Sequence, residues 1–478
     1  MKVPAPKQWE PRSAIPILAG LFWLCAAATG GWLFWALLPG SLMLASGVAM
    51  LLWSGDLRIT HYMALGGLLG VILAAPVLFS GGLADALVGG VLAAAAYLTA
   101  GRLALTQDVV ADGVPPLEHS LALDAKAALD EALLAYFVGT AQVPSGEKAE
   151  QIEPQAAEIE KALDACGWLE RPEGMHPAPP APASDRVYVQ EARLYGRTYA
   201  RVTYPSGFVA DPRLPAAASW NAMAENQQAA AWMLRHAGAP RPWLVCIHGY
   251  RMGEAWMDFT LFPPHWLHER LGLNVLMPVL PLHGPRRVGL RSGDHYLDSD
   301  PFAIVYAQTQ AVWDLRRALA WLRAEEDNPP IGVLGYSLGG CAAALLAQHE
   351  RELEFIIAGI PVVDLAAATW RHVSAPHREF YGSRGFTLER YRRLLSPVSP
   401  LVRPPLLPRE RLYIFAGAAD RVVLPEHPLA LARHWGVPIQ WYQGAHLSFR
   451  GEHAVYEHIE AAVQRAGWMG GPMPDPAR

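Results

Sequence analysis

Residues 335–340 have the sequence GYSLGG, which places a serine between glycines directly after a short apolar run. Small and apolar residues follow, so this order predicts a strand, a sharp turn and a helix, with Ser337 at the turn. Such a turn holds the serine in a strained backbone conformation, and Gly335 and Gly339 supply the small residues that it needs on either side. The first N–H groups of the helix, beginning with that of Leu338, would then face an oxyanion formed beside the serine. We therefore predict that Ser337 is a nucleophile.

A nucleophilic serine needs a base, and the base needs a carboxylate that orients it. Asp420 follows the apolar run at 412–417, and His446 follows a short strand-like run at 439–442. Both would lie in loops beyond the ends of strands, where the sites of open parallel sheets form. We predict Asp420 as the orienting acid and His446 as the base. Asp364, which follows an earlier apolar run, is the alternative acid.

From Trp243 onward the chain resembles the α/β-hydrolase superfamily of serine hydrolases. Four motifs in the order typical of that superfamily carry the resemblance: HGY at 248–250, GYSLGG at 335–340, GAAD at 417–420 and GAH at 444–446. The resemblance implies an α/β-hydrolase fold, a mostly parallel sheet with helices on both faces. It also implies a catalytic triad of Ser337, Asp420 and His446.

The resemblance further implies an oxyanion hole formed by the backbone N–H groups of Tyr250 and Leu338. The implied chemistry is hydrolysis of a carboxylic ester through an acyl-enzyme, which requires no metal and no organic cofactor. An esterase or lipase-like enzyme is the main interpretation, with a small-molecule or lipid ester as its substrate. An acyltransferase with the same triad is an alternative. A second alternative is a catalytically silent α/β-hydrolase fold that serves as a binding or scaffold protein.

A peptidase is a further possibility. The strand and helix pattern, with Asp314 on the helix before the turn, loosely resembles the dienelactone-hydrolase and prolyl-oligopeptidase branch of the superfamily. The chain has no region long enough to form the propeller that accompanies many such peptidases, which makes this interpretation weaker.

The amino-terminal part of the chain is apolar enough to cross a membrane. Hydrophobic residues make up 52% of the 478-residue chain, and residues 13–55 contain no charge. A spanning helix needs about 20 apolar residues, so the two apolar tracts predict four spans, with turns at 39–40 and 80–82. The predicted spans are 14–37, 41–54, 62–79 and 83–100.

The placement of Lys and Arg predicts the orientation of these spans. Lys2, Lys7 and Arg12 precede the first span, Arg58 lies between the second and third, and Arg102 follows the fourth. With four spans, all five cations fall on one side, which predicts an integral membrane protein with a cytoplasmic catalytic domain, in the inner membrane if the source is prokaryotic. Three spans would place the catalytic domain outside.

Composition excludes some classes of function. The net charge of −5 gives no reason to expect binding to nucleic acid, and the four cysteines have neither metal-binding nor redox spacing. The sequence carries no prediction of oligomeric state. The predicted domains are a membrane anchor at 1–102, an acidic helical segment at 103–170, a Pro-rich linker at 171–185 and a catalytic domain at 186–470 with a lid at 364–408.

Residues 103–170 are interpreted as two surface helices. Apolar residues recur at helical spacing in both: Leu129, Leu133 and Phe137 in the first, and Ala156, Ile159 and Leu163 in the second. Within the catalytic domain, residues 220–236 are interpreted as a helix or a covering segment.

Two segments are candidates for substrate binding. Arg286 and Arg287 lie in a loop rich in Pro and Gly, where they would either hold an anionic group of the substrate or pin the loop by pairing with the nearby acids Asp294, Asp298 and Asp300. Trp370 is one of several aromatic residues in the predicted lid. These aromatics would either contact an apolar ester or form the small core of the lid itself.

Overall fold

The computed structural model describes residues 11–52, 55–107, 111–297 and 300–468. Lys2, Lys7, Ser54 and Asp298 therefore lie outside the described residues. The described chain divides into two compact units. The first contains residues 11–141 together with Gly417–Glu426 and Trp441–Glu452, and the second contains the rest. This differs from the predicted domains, because the boundary falls at residue 141 and two segments of the predicted catalytic domain belong to the first unit.

Four long apolar helices open the first unit, and each is long and apolar enough to cross a membrane. They are α1 (Ala14–Gly30), α2 (Leu33–Leu52), α3 (Arg58–Ser80) and α4 (Leu83–Gln107). The first turn was predicted at residues 39–40, and this is wrong. The chain turns at Gly31, whose left-handed conformation (φ +75°) glycine adopts without penalty. Pro39 lies inside α2, as prolines in apolar helices can when neighbouring helices pack around them.

The two helical turns at residues 31–32 and 81–82 lie at the same end of this four-helix group. The indole of Trp32 donates a hydrogen bond of 3.1 Å to Asp85 at the start of α4. Trp23, at the centre of α1, donates from its indole to the carbonyl of Gly89 at 3.0 Å. The first bond joins the turn before α2 to α4, and the second joins α1 to α4. In apolar surroundings the indole N–H groups would otherwise lack hydrogen-bond partners.

A fifth helix, α5 (Leu121–Thr140), completes the first unit. Ser120 caps it, since its side chain accepts a hydrogen bond from the backbone N–H of Leu123. It was predicted as a surface helix whose apolar face consists of Leu129, Leu133 and Phe137, but this is not the face that the structure buries. Leu129 is exposed, and the buried residues are mostly alanines and acids, together with two leucines: Leu123, Asp124, Ala127, Ala128, Asp130, Glu131, Ala132, Leu134 and Ala135.

The second unit contains most of the remaining elements. Its helices, with α15 starting at the boundary, are α6 (Glu147–Glu150), α7 (Ile152–Ala165), α8 (Ala217–Asn221), α9 (Ala255–Leu261), α10 (Ala303–Glu325), α11 (Leu338–Leu346), α12 (Leu365–Arg371), α13 (Ala375–Ser383), α14 (Leu388–Leu394), α15 (Glu426–Trp435) and α16 (His453–Arg465). The strands of the chain are β1 (Tyr188–Leu194), β2 (Arg197–Pro205), β3 (Gln228–Leu234), β4 (Trp243–Ile247), β5 (Asn274–Pro278), β6 (Ile331–Tyr336), β7 (Phe355–Gly359), β8 (Leu412–Gly417) and β9 (Ile439–Tyr442).

These strands form one nine-stranded sheet in the order β1-β2-β3-β5-β4-β6-β7-β8-β9. The pairs among β1, β2, β3 and β5 are antiparallel, whereas those from β5 through β4, β6 and β7 to β8 are parallel. The central strands β4 to β7 are buried along their whole length, as expected for a parallel sheet covered on both faces. The structure confirms an α/β-hydrolase fold preceded by four apolar helices.

The interpretation of residues 220–236 as a helix or covering segment is wrong for its second half. Gln228–Leu234 forms β3, which pairs with β2 on one side and with β5 on the other. Alanine favours helices, but the pairing of this segment inside the sheet overrides that local preference.

Candidate active site

Ser337 occupies the sharp turn between β6 and α11, as the sequence predicts. Its backbone has φ +56° and ψ −114°, a combination that costs a non-glycine residue about 1–3 kcal/mol. Three backbone hydrogen bonds hold it there, one of them from the N–H of Cys341 to the Ser337 carbonyl at 3.0 Å. The Ser337 N–H donates to the carbonyl of Gly359 at 2.9 Å, and the Ser337 carbonyl accepts from Val362 at 3.3 Å. Strain of this kind, maintained by the surrounding sheet, is typical of functional residues.

The glycines beside Ser337 are required because backbone atoms approach them closely. A Cβ at Gly335 would lie 2.1 Å from the carbonyl oxygen of Gly339. A Cβ at Gly339 would lie 2.0 Å from the carbonyl oxygen of Ile247, at the end of β4. The turn therefore fits against its neighbouring strand only with glycine at these two positions.

The structure brings together the predicted acid and base, both in the first unit. Asp420 Oδ2 lies 2.7 Å from Nδ1 of His446, and both side chains are buried. The other oxygen of Asp420 accepts hydrogen bonds from the backbone N–H groups of Val422 at 3.0 Å and Val423 at 2.7 Å. The carboxylate is thus fixed by its own loop and directed at the imidazole.

This pairing sets the charge and the tautomer of His446. Burial alone would lower the pKa of His446, but the charge of Asp420 and the hydrogen bond to it raise the pKa above its usual value. In the neutral ring that donates from Nδ1, the lone pair lies on Nε2. The arrangement therefore suits a general base that takes up a proton at Nε2 and is stabilised as the cation that results.

Asp364, the alternative acid, has other partners. It caps α12 by accepting from the backbone N–H of Ala367 at 2.9 Å, and its second oxygen lies 2.7 Å from Nε of Arg392. The contacts of Asp364 account for its presence without a catalytic role.

A second buried acid lies beside Asp420 and His446, and it was not predicted from the sequence. Asp130 of α5 is fully buried and accepts three backbone hydrogen bonds from the loops that carry these two residues. Burial and the nearby charge of Asp420 raise the pKa of Asp130 to about 7. The signal in the sequence was the alanine-rich face of α5 on which it lies. That face has helical spacing, but we assigned the more apolar face to the interior.

The predicted oxyanion donors lie at the ends of neighbouring strands of the second unit. Leu338 is the first residue of α11, directly after Ser337, and Tyr250 follows β4 by three residues. β4 and β6 are paired, with Ile247 opposite Gly335. The ring of Tyr250 packs against His283, with centroids 5.9 Å apart, and the guanidinium of Arg251 lies over it. The role of the two N–H groups stays a prediction.

Arg286 is placed where it cannot present its charge to a substrate. Its side chain is 1% exposed and forms an ion pair of 2.7 Å with Asp314 on α10, besides donating to the carbonyls of Val279 and Asn226. The prediction that Arg286 binds substrate is therefore wrong. Asp314 instead holds the loop of Arg286 against α10 through this ion pair. Arg287, by contrast, has a half-exposed side chain and pairs with Glu254 at 3.0 Å. Within the described part of the chain, neither arginine pairs with Asp294 or Asp300, two of the acids predicted to pin the loop; instead, Arg251 pairs with Asp294.

Trp370 belongs to an aromatic cluster within the segment predicted as a lid. Its ring centroid lies 6.3 Å from that of Tyr381 and 5.8 Å from that of Phe386. Phe386 also packs on Tyr391 of α14, and both rings are buried. The contacts favour the interpretation that these aromatics form the core of the small helical segment, while a role of Trp370 in substrate binding stays a prediction.

Relatives of the chain occur in mycobacteria. The chain is 38% identical over 363 residues to the uncharacterized protein MT2702 of Mycobacterium tuberculosis (strain CDC 1551 / Oshkosh), an alignment that covers 76% of this chain and 86% of that protein. It is 37% identical over 366 residues to the uncharacterized protein Rv2627c of Mycobacterium tuberculosis (strain ATCC 25618 / H37Rv), with the same coverage of 76% and 86%. The chain belongs to the family of these two proteins.

Two further comparisons concern the α/β-hydrolase part of this family member. A family model described as the prolyl oligopeptidase family matches residues 308–444. Among solved structures, an acetyl xylan esterase from Paenibacillus sp. R4 aligns with a TM-score of 0.41 and 16% identity, over 70% of this chain and 98% of the esterase. With the fold and the residue pattern described above, the protein is a hydrolase of the α/β-hydrolase type.

Proposed function

We propose that the protein is a membrane-anchored serine hydrolase that cleaves carboxylic esters through Ser337, His446 and Asp420. The observation that carries the proposal is the conformation of Ser337, a non-glycine residue with φ +56° between a buried strand and a helix. A purely structural turn could use glycine there and avoid the strain. A serine retained at such a position is best explained by the need to present its oxygen.

The chemistry follows from the second observation, the Asp420–His446 pair. His446 would take the proton of Ser337 as its oxygen attacks the ester carbonyl, and Asp420 would stabilise the imidazolium. The tetrahedral oxyanion would accept hydrogen bonds from the N–H groups of Tyr250 and Leu338, an effect worth about 3–4 kcal/mol per donor. His446 would then give the proton to the leaving alcohol, and water would release the acyl group by the reverse sequence.

The membrane part of the proposal rests on the four apolar helices. Arg58 begins α3, at the end of the helices opposite the turns at residues 31–32 and 81–82. Arg12 precedes α1, and Arg102 lies near the carboxyl end of α4, so both are at this same end. By the positive-inside rule this end faces the cytoplasm. We infer that the catalytic part of the chain, which follows α4, is cytoplasmic.

A peptidase is the second candidate, because the family model that matches residues 308–444 is named for oligopeptidases. The same triad would serve, and the difference would lie in the leaving group. Esters and aminoacyl anilides with the same acyl part therefore distinguish the two candidates.

The test is labelling of the detergent-solubilised protein with a fluorophosphonate probe, which reacts with activated serines. We expect the wild type to be labelled and the variants Ser337→Ala and His446→Ala to lose labelling. Ser383→Ala is the matched control, because Ser383 lies exposed on α13 and bonds only within its own helix. An unlabelled wild type with an intact fold would overturn the proposal in favour of a catalytically silent protein.

A further inference from the structure

The loops that carry Asp420 and His446 meet at a buried carboxylate on a different part of the chain. Asp130 Oδ2 accepts hydrogen bonds from the backbone N–H of Arg421 at 3.0 Å and from that of His446 itself at 2.7 Å. Its Oδ1 accepts from the backbone N–H of Leu447 at 3.1 Å. One side chain therefore binds the residue after the acid, the base, and the residue after the base.

These contacts fix relative position in a way that the Asp420–His446 bond alone does not. A single hydrogen bond between two side chains leaves each loop free to move with its partner. Backbone contacts from both loops to the same carboxylate instead set the distance between the two loops. Because the side chain of His446 turns about its own backbone, the bond to its N–H limits where the imidazole can lie.

The residue next to Asp130 on α5 is also bound by buried partners. Glu131 is completely buried, and the Oε1 atom of Glu131 lies 3.1 Å from Nε of Arg421. The other oxygen of Glu131 accepts from the hydroxyl of Thr60 at 2.7 Å and lies 2.6 Å from Nδ1 of His61, both in the first turn of α3. Burial alone would raise the pKa of Glu131, but its bond to His61 and the charge of Arg421 lower it to about 2, so the group is an anion at neutral pH.

Burial of two adjacent acids on one helix is expensive unless both are fully satisfied. Two hydrophobic residues would fill this face of α5 without the free-energy cost of desolvating two carboxylates. Stability alone therefore does not explain why acids occupy these positions. Their partners supply a reason, since the contacts of Asp130 converge on the two residues to which the proposed function assigns acid and base roles. We propose that Asp130 is a positioning residue that fixes the loops of the catalytic acid and base to each other. The inference rests on the proposed function for the roles of Asp420 and His446.

The test compares three variants of the full chain in detergent. Asp130→Ala removes all three acceptors, and Asp130→Asn keeps one oxygen but turns an NH₂ group toward a backbone donor. Asp124→Asn is the matched control, a carboxylate-to-amide change on the same helix at a buried position whose ion-pair partner is Arg102.

For hydrolysis of p-nitrophenyl acetate we expect kcat to fall about 100-fold in Asp130→Ala and about 10-fold in Asp130→Asn, since displacement of a catalytic group by about 1 Å has effects of this size. KM should stay within about three-fold, because Asp130 binds the loops and not the substrate. Asp124→Asn should behave as the wild type. A kcat within about two-fold of wild type in Asp130→Ala would overturn the proposal.

A pH profile separates positioning from general destabilisation. Asp420 and Asp130 are the negative groups that raise the pKa of His446, with the Glu131–Arg421 pair beside them. If Asp130 positions the two loops, its replacement should weaken the contact between His446 and Asp420 that raises the pKa of His446, so the acid limb of kcat/KM should move to lower pH. A loss of stability elsewhere in the fold would lower kcat and leave the limb in place. An unmoved limb in both Asp130 variants contradicts the proposal.

Backbone hydrogen exchange tests the contacts without reference to activity. In Asp130→Asn, exchange should accelerate in the segments 417–426 and 441–452 and stay unchanged in the central strands of the sheet. If Asp130→Ala exchanges fast throughout, it has unfolded, and Asp130→Asn decides the question. Unchanged exchange in both segments overturns the inference, while an inactive wild type overturns the proposed function and leaves the exchange result standing.

Discussion

Asp420→Asn tests the assignment of the catalytic acid most directly, because it changes one hydrogen bond and conserves the others. The oxygen of Asp420 that binds Val422 and Val423 is retained in asparagine. The oxygen that faces Nδ1 of His446 at 2.7 Å becomes an NH₂ group. Two donors cannot face each other, so the imidazole must place its proton on Nε2, where it can no longer accept one from a serine.

The expected magnitude follows from this change of tautomer. Loss of the orienting acid in a serine triad lowers kcat by about 10⁴-fold. At about 1.4 kcal/mol for each factor of ten, this corresponds to about 5.5 kcal/mol of lost transition-state stabilisation. KM should change little, because Asp420 stabilises a charge that develops only during the reaction.

The matched comparison is Asp364→Asn, which alters the alternative acid. Asparagine caps helices as well as aspartate does, so α12 keeps its cap. The lost ion pair joins a carboxylate to the half-exposed Arg392, and such pairs contribute about 0–1 kcal/mol. We therefore expect Asp364→Asn to keep wild-type kcat.

The assay is steady-state hydrolysis of p-nitrophenyl acetate by each purified variant in the same detergent, with kcat and KM determined separately. If Asp420→Asn keeps kcat within about ten-fold of the wild type, the reasoning from tautomer is refuted. If Asp364→Asn loses as much as Asp420→Asn, the acid has been assigned to the wrong loop.

Two further outcomes can be predicted. Gly339→Ala places a Cβ 2.0 Å from the carbonyl oxygen of Ile247 and should slow probe labelling of Ser337 by about 100-fold or more. The control variant Gly382→Ala, which has no atom within 4 Å of its Cβ, should be labelled as fast as the wild type. Equal labelling of the two variants would contradict the account of the turn. A green fluorescent protein fused after the last residue should fluoresce, and an alkaline phosphatase fused there should be inactive. Both results are expected because the Arg-rich end of the helices should lie in the cytoplasm. An active phosphatase would show that the proposed orientation is wrong.

The elements that carry the chemistry could be predicted because they are local. The strand, turn and helix around Ser337 depend on glycines that lie within two residues of it, and the sequence contains them. The order of Ser337, Asp420 and His446 and the alternation of strands and helices likewise depend on the chain alone. The apolar tracts gave the number of long helices for the same reason, since length and hydropathy decide whether a segment can span.

The predictions that failed depended on tertiary contacts. Proline was expected to break the first tract at residue 39, but packed apolar helices accept proline, and the turn lies at Gly31 instead. The alanines of β3 favour a helix by propensity, and only the neighbouring strands make that segment extended. Arg286 lies beside Arg287 in the sequence, yet one is buried against Asp314 and the other is half-exposed.

Asp130 illustrates why part of a site is invisible in a sequence. A charged residue on a helix is usually solvated, and nothing in the neighbouring residues distinguishes Asp130 from such a case. Its hydrogen bonds come from backbone groups 291 to 317 positions away in the chain. Only the fold brings the carboxylate to Arg421, His446 and Leu447.

The contacts of Asp130 and Glu131 also bear on the structural role of the apolar helices. If these helices served only as a membrane tether, the loops that carry Asp420 and His446 would not need to pack with them in one compact unit. The segments 417–426 and 441–452 nevertheless belong to the unit formed by α1 to α5. Glu131 links Arg421, in the loop of Asp420, to Thr60 of α3. The start of an apolar helix and the loop of the proposed catalytic acid therefore share one buried side chain. Removal of residues 1–141 would therefore expose the backbone N–H groups that now donate to Asp130. For this reason the helices are better regarded as a structural part of the hydrolase than as a detachable anchor.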